Sequence, residues 1–78
     1  MSSQNNQKSA RERIAYNLRE LRTRNGFPQD TLAAAAGISQ TFLSQVETGR
    51  NNISVDKLEQ IADALGVDVI DLLKPLPV

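Results

Sequence analysis

The amino-acid sequence predicts an all-α domain of five short helices. Each of the four glycines, at positions 26, 37, 49 and 66, closes a stretch of apolar residues at helical spacing. A left-handed residue just after a helix suits glycine. The prolines lie at the edges of such stretches, and none interrupts residues 29–74. Runs of β-branched residues and strict alternation of apolar and polar residues, which indicate strands, are absent.

The first helix is predicted from about Ala10 to Asn25. Ser9 and Glu12 form a capping-box pattern, in which the hydroxyl and the carboxylate each bind a free amide of the first turn. Apolar residues then follow at helical spacing along one face: Ile14, Leu18 and Leu21. Residues 1–8 are mostly polar and are expected to form a flexible arm, ahead of a single domain over residues 9–78.

Four shorter helices are predicted after the first. Pro28 suits the start of a helix, and Ser39, Ser54 and Asp68 are N-cap candidates for the other three. The predicted bounds are about Gln29–Ala36, Gln40–Thr48, Val55–Leu65 and Val69–Lys74. The predicted core is Ile14, Leu18, Leu21, Leu32, Ala33, Ala36, Ile38, Leu43, Val46, Ile53, Leu58, Ile61, Ala62, Leu65, Val67, Leu72 and Leu73.

Composition argues against several classes of protein. The chain has 78 residues, and cysteine and histidine are both absent. Disulfides, thiolate zinc sites and Ser–His or Cys–His nucleophile pairs are therefore excluded. There is no glycine-rich phosphate loop either, so neither an enzyme nor a bound cofactor or metal is expected. No apolar run approaches the roughly 20 residues of a membrane span, and no secretory signal is present. The expected location is the cytoplasm.

The charges are unevenly distributed although the formal net charge is +0. The chain through Arg50 carries seven cations and four anions, whereas the remainder carries two cations and five anions. A chain polarised in this way can turn a positive face towards a polyanion such as DNA. The alternative is an ordinary solvated surface, and charge alone does not decide between them.

Residues 29–48 have the layout of a helix-turn-helix, with two eight- or nine-residue helices around a short turn. Small Ala33 suits a close helix crossing, Gly37 suits the turn, and Ile38 can anchor the turn in the core. Leu43 and Val46 would hold the second helix from beneath. Its outer face then carries only amides and hydroxyls, which can read base edges in the major groove: Gln40, Thr41, Ser44 and Gln45. The alternative is an αα-hairpin with a polar surface.

The sequence resembles the Xre/Cro/cI helix-turn-helix family of bacterial and phage regulators. The matching segments are LRELR (18–22), QDTLA (29–33), GISQTFLS (37–44), VETGR (46–50) and LEQIADALGV (58–67). The resemblance implies a five-helix lambda-repressor-like domain that binds double-stranded DNA at a (pseudo)palindromic operator as a homodimer. The residues around 40–44 and 49–51 are also similar to restriction–modification controller proteins.

The resemblance also implies roles for individual residues. Base reading falls to Gln40, Thr41, Ser44 and Gln45, and phosphate binding to Gln29, Arg50, Asn51 and Asn52, with Gln29 also bracing Gln40. Arg22 and Glu47 match a pair that bridges the first and third helices, although Arg22 could instead contact phosphate. Pro28 departs from the family's usual Ser or Thr N-cap and forfeits a bond worth about 0.5–2 kcal/mol.

Two further questions concern partners. An apolar patch of Val69, Ile70 and Leu76 is predicted to form the dimer interface; alternatively, Leu76 and Val78 fold back over the first helix. Phe42 is expected to pack at the rim of the core rather than wedge between bases. The rival function is a protein-interaction module of the antitoxin or anti-repressor type, which the neutral net charge slightly favours.

Overall fold

A computed structural model of the chain describes residues 9–77 as five helices, with no strand in that part. They are α1 (Ala10–Arg24), α2 (Gln29–Ala36), α3 (Gln40–Glu47), α4 (Val55–Leu65) and α5 (Ile70–Leu73). The all-α prediction is confirmed. The predicted arm at residues 1–8 and Val78 lie outside the described residues. Within residues 9–77 no helix combines the length and the apolar character needed to cross a membrane.

Three of the five helices begin at the predicted serine caps. The hydroxyls of Ser9, Ser39 and Ser54 each accept the backbone N–H three residues on, at 3.0–3.1 Å. The Ser9 N–H in turn donates to the Glu12 carboxylate, which completes the capping box. Before α5, the Asp68 carboxylate accepts the Ile70 N–H at 2.9 Å. These bonds satisfy amides that have no partner within the helix.

Four predicted boundaries are wrong by one residue. α1 and α3 end one residue early, because Asn25 and Thr48 adopt ψ near zero ahead of a glycine with positive φ. α5 begins after Val69 rather than at it, although Val69 already has helical dihedral angles, φ −58° and ψ −28°. It also ends before Lys74, which is extended. A residue that precedes proline, here Pro75, is sterically driven out of the helical region.

The core lies where α1 packs on α3 and α5, and α2 packs on α3 and α4. Five leucine or isoleucine side chains are completely buried: Leu18, Leu32, Leu43, Ile61 and Leu72. The predicted core residues that are only half-buried surround them: Leu21, Ile38, Ile53, Val67 and Leu73. Phe42 also packs there, as expected for a rim residue. Ala15 is buried and Phe27 half-buried although neither was predicted.

The turn between α2 and α3 is fixed by Gly37 and Ile38. Gly37 has φ of +73°, a conformation that costs other residues about 1–2 kcal/mol. The Ile38 N–H then donates to the Ala33 carbonyl at 3.0 Å, and the Ile38 side chain packs against the core. The turn therefore sets the angle at which α3 leaves α2.

The chain after α5 is tied to α1. The Asn17 amide donates to the carbonyls of Leu72 and Lys74 at 3.1 and 2.9 Å, and the Arg13 guanidinium donates to that of Leu73. Half-buried Leu76 lines a recess formed largely by α1.

These contacts change the expected apolar patch. Val69 packs against the core, and Leu76 lies beside α1 as the alternative interpretation had it. Ile70 alone of the three is well exposed, at 62%. Beside it, a hydrogen bond from Lys74 lowers the pKa of the Asp71 carboxyl.

We expect Leu18→Ala to lower the free energy of unfolding by about 2–5 kcal/mol, because the side chain is fully buried. A core of this size supplies only about 3–5 kcal/mol, so much of the variant would be unfolded at 25 °C. Urea titration followed by circular dichroism measures the change. Val55→Ala, at a position 73% exposed, is the control and should stay within about 0.5 kcal/mol of the parent. Equal losses in both variants would contradict this account of the core.

Candidate nucleic-acid interface

Helix α3 carries an apolar inner face and a polar outer face. Leu43 and Val46 on the inner face are 0% and 2% exposed. On the outer face, three of the four predicted base-reading residues are exposed and Ser44 is half-buried. The structure brings these four side chains together with Gln29 of α2 around one shallow depression: Gln40, Thr41, Ser44 and Gln45. This surface, which we call the reading face, carries no charged side chain.

A chain of hydrogen bonds connects the reading face to the protein interior. The Gln40 Nε2 group donates to Gln29 Oε1 at 3.4 Å, and Gln29 Nε2 donates to Glu47 Oε1 at 3.0 Å. Gln29 therefore lies where the sequence expected it to brace Gln40. One of its N–H groups is used on Glu47, and the other is left to meet a ligand.

Glu47 is a buried carboxylate shared by three helices. It is 3% exposed, and the Arg22 guanidinium of α1 meets it with two bonds: Nε to Oε2 at 2.5 Å and Nη2 to Oε1 at 3.1 Å. Paired bonds of this kind are strong and directional. Arg22 Nη1 donates to the Phe27 carbonyl at 2.9 Å. Each of the three Arg22 nitrogens thus donates to a protein group, which is the geometry of the predicted bridge.

The segment after α3 borders the reading face. Arg50 is exposed, which suits contact with phosphate. Asn51 instead donates from Nδ2 to Gln45 Oε1 at 2.8 Å. Asn52 accepts a hydrogen bond from the Arg11 guanidinium through Oδ1, which leaves its own N–H groups for another ligand. Of the four residues predicted to bind phosphate, Gln29 lines the reading face, and Asn51 and the Arg50 backbone contact Gln45 at its edge. Asn52 is bound to Arg11.

Sequence reasoning missed two contacts that hold this edge. Arg19 Nη1 donates to the Glu47 carbonyl at 2.6 Å and so binds the last turn of α3. The bond between Arg11 and Asn52 joins residues 41 positions apart. No local sequence pattern marks either contact, because the partners lie 28 and 41 positions apart and an arginine on a helix surface is most often solvated. The only available signal was the excess of arginine in α1.

The packing of the helices separates the charges. α3 packs on α1 and α2, whereas α4 packs on α2 and α5 packs on α1. The excess acidic residues of the second half are carried on and around α4 and α5: Asp56, Glu59, Asp63, Asp68 and Asp71. The reading helix therefore has arginine-rich α1 rather than these acidic segments as its neighbour.

Comparison with known proteins identifies the family. The Helix-turn-helix family pattern matches residues 18–72, which include α2, α3 and α4 in full. The chain belongs to the helix-turn-helix family of transcriptional regulators. This confirms the family and fold that the sequence predicted, and α2 and α3 are the two helices for which the family is named.

Individual relatives agree with the assignment. A hypothetical transcription factor of Neisseria meningitidis is 42% identical over 62 residues, which are 80% of this chain and 58% of that protein. The uncharacterized regulator y4dJ of Sinorhizobium fredii is 38% identical over 65 residues, 83% of this chain and 84% of that one. The crystal structure of the restriction–modification controller protein C.AhdI from Aeromonas hydrophila superposes with a TM-score of 0.77 at 34% identity. That match covers 80% of this chain and 94% of C.AhdI.

We expect a double-mutant cycle on Arg22 and Glu47 to be strongly non-additive. Removing one member of a fully buried pair costs about 3–5 kcal/mol because the other charge is stranded. The cost should be smaller here, since the Arg22 side chain is 16% exposed. The unfolding free energies of Arg22→Met, Glu47→Leu and the double variant should show a coupling of at least about 1 kcal/mol.

The matched control for this cycle is the ion pair of Arg24 and Glu20 on the surface of α1. Their closest atoms are 3.8 Å apart, and the side chains are 69% and 50% exposed. The coupling of Arg24→Met and Glu20→Leu should stay below about 0.5 kcal/mol. Additive effects in the Arg22–Glu47 cycle would show that the bridge does not stabilise the fold.

Proposed function

We propose that this chain binds duplex DNA in a sequence-specific manner, with α3 lying in the major groove. The observation that supports this most directly is the reading face, where four uncharged polar side chains stand on one side of a helix anchored by buried Leu43 and Val46. Gln, Thr and Ser can each contact base edges: amides donate and accept, and a threonine methyl can touch the methyl of thymine. The proposed base readers are Gln40, Thr41, Ser44 and Gln45.

The proposed phosphate contacts flank this surface. Exposed Arg50 supplies a positive charge, and the spare N–H groups of Gln29, Asn51 and Asn52 can donate to phosphate oxygens. Contacts of this kind fix the register of a protein on the duplex without reading sequence. Regulation of transcription from DNA would place the protein in the cytoplasm of a bacterial cell.

We expect Gln40→Ala and Gln45→Ala each to weaken binding to the preferred site by about 1–3 kcal/mol. Their affinity for unrelated DNA should stay unchanged, because non-specific binding depends on phosphate contacts. The site is first obtained by selection from a pool of randomised duplexes. Fluorescence anisotropy with this site and a scrambled duplex then measures both affinities. If both variants kept the parent's selectivity, α3 would not be the reading helix.

Arg50→Ala is the contrasting variant in this experiment. It should weaken binding to both duplexes alike and reduce the slope of log affinity against log salt by about one. A change in base preference alone would make Arg50 a base reader. The same titration tests the rival function, since a protein-interaction module of the antitoxin or anti-repressor type would show no steep loss of DNA affinity as salt rises.

We also propose that two copies bind a (pseudo)palindromic site through contacts made by α5. One chain covers a single half-site, and a two-fold pair can reach successive major-groove faces about 34 Å apart. Ile70, at the start of α5, is one of two large apolar residues exposed among residues 9–77, at 62%. Half-buried Val69 and Leu76 would be peripheral to such a contact.

We expect Ile70→Asp to abolish self-association and leave the fold intact, because a carboxylate resists burial in an apolar contact. Sedimentation equilibrium of parent and variant measures the association. Val55→Asp is the matched control, since Val55 is also exposed and also begins a helix. It should associate like the parent. A parent that stays monomeric at high concentration and binds DNA without two-fold symmetry would refute the proposed dimer.

Control of a restriction–modification system is a second candidate for the regulatory role. The observation that favours it is the similarity to the controller protein C.AhdI. The match covers 94% of the C.AhdI chain at 34% identity. The test is whether the selected DNA sequence occurs upstream of adjoining methyltransferase or restriction genes. If the selected sequence were absent upstream of such genes and present elsewhere in the genome, the protein would be a regulator of other genes.

A further inference from the structure

Asn51 fixes the orientation of the Gln45 side-chain amide. Asn51 Nδ2 donates to Gln45 Oε1 at 2.8 Å, so the oxygen of the Gln45 amide is directed at the loop that follows α3. No hydrogen bond joins Gln45 Nε2 to any group within residues 9–77. The N–H groups of this amide are therefore the end that is available to a ligand at the reading face.

The backbone at the end of α3 holds Asn51 in place. Gly49 has φ of +73° and its N–H donates to the Val46 carbonyl at 3.1 Å. The Arg50 N–H donates to the Gln45 carbonyl at 2.9 Å. This pair of bonds is the Schellman arrangement, which turns the chain back beside the last turn of a helix. The backbone N–H of Arg50, next to Asn51, is therefore already bonded to Gln45, which keeps Asn51 close to that residue.

The two partners also differ in burial. Asn51 is half-buried and lines a recess with three side chains of the core or its border, Ile14, Val46 and Ile53. Gln45 is exposed. The better-packed side chain loses less conformational entropy when the bond forms, so Asn51 is the fixed partner and Gln45 is the one that is oriented.

From this geometry we propose that Asn51 is a specificity-determining positioning residue, which makes Gln45 present hydrogen-bond donors to an acceptor edge, that of guanine. The proposal rests on the proposed function of α3. A glutamine that reads adenine needs both ends of its amide, since it accepts from N6 and donates to N7. The Gln45 oxygen keeps a second lone pair, but its contact with Asn51 turns it towards the loop after α3. The Nε2 end is then the one left for the groove, where guanine offers two acceptors, N7 and O6.

Gln40 is held in the opposite sense on the same face. Its Nε2 group is the atom that binds Gln29, so its oxygen is not engaged by that contact. Two glutamines five residues apart on α3 thus show different groups to the groove. If both amides were unconstrained, both would be expected to favour adenine.

The experiment compares base preferences, which a merely structural role of Asn51 would not shift. Sites are selected from randomised duplexes at low salt for the parent, Gln45→Ala, Asn51→Ala, Asn51→Asp and Asn52→Ala. The base pair whose preference disappears in Gln45→Ala is the one that Gln45 reads. Competition between duplexes that differ only at this pair then gives the ratio of guanine to adenine for each protein.

The parent should prefer guanine at this pair, and Asn51→Ala should shift the ratio towards adenine by about tenfold, since the freed amide can bind adenine with both ends. In Asn51→Asp the carboxylate can only accept. It should therefore reverse the Gln45 amide and favour cytosine or adenine, whose exocyclic amines are donors. Asn52→Ala, at a proposed phosphate contact, should weaken binding to both duplexes alike and so keep the parental ratio.

Two results would overturn the proposal: a parent that selects adenine at the Gln45 pair, or Asn51 variants that keep the parental preference. Loss of all base preference in both Asn51 variants would also overturn it, because repositioning must change the base that is chosen. A parent that selects no consensus at all would instead refute the proposed function. A consensus that Gln45→Ala leaves unaltered would remove Gln45 from the base readers and the proposal with it.

Discussion

The placement of the reading helix depends on one buried ion, the carboxylate of Glu47. A carboxylate taken out of water is costly unless charge and hydrogen bonds replace the lost solvation. Here α1 supplies the Arg22 guanidinium and α2 supplies the Gln29 amide. Because the carboxylate lies on α3, its ligands fix α3 to both neighbouring helices at a single point. The apolar contacts of Leu43 and Val46 favour burial, but they have no comparable directional preference.

The same carboxylate gives a direction to the hydrogen bonds that reach the surface. An ionised Glu47 can only accept, so Gln29 turns its nitrogen inward and its oxygen towards Gln40. Gln40 must then donate to Gln29. The order of donors and acceptors on the outer side of α3 is thereby set partly by a charge in the interior. Glu47 thus sets the order of donors and acceptors at the surface without a movement of α3 and without a charged side chain on the reading face.

Local signals made most of the fold predictable. Helical spacing, serine caps and the four glycines act within a few residues, so the existence of all five helices and most of the core could be inferred from the chain alone. The Arg22–Glu47 pair came from the family resemblance rather than from any pattern. The contacts of Asn17 and Arg13 with the carbonyls after Leu72 could not be predicted, because they join residues 55–60 positions apart. The contact between Asn51 and Gln45 could not be predicted either, because it depends on how Gly49 reverses the chain.

The distribution of arginine bears on how a protein with no net charge would carry out the proposed binding to DNA. Three arginines of α1 make hydrogen bonds within the protein: Arg13 to the Leu73 carbonyl, Arg19 to the Glu47 carbonyl, and Arg22 to the Glu47 carboxylate. Fewer cations than the composition suggests are left for phosphates, and phosphate contacts supply most non-specific affinity. A larger share of the binding energy then has to come from the uncharged reading face. Since one such face contacts few base pairs, the proposed second copy on a symmetric site would supply further affinity.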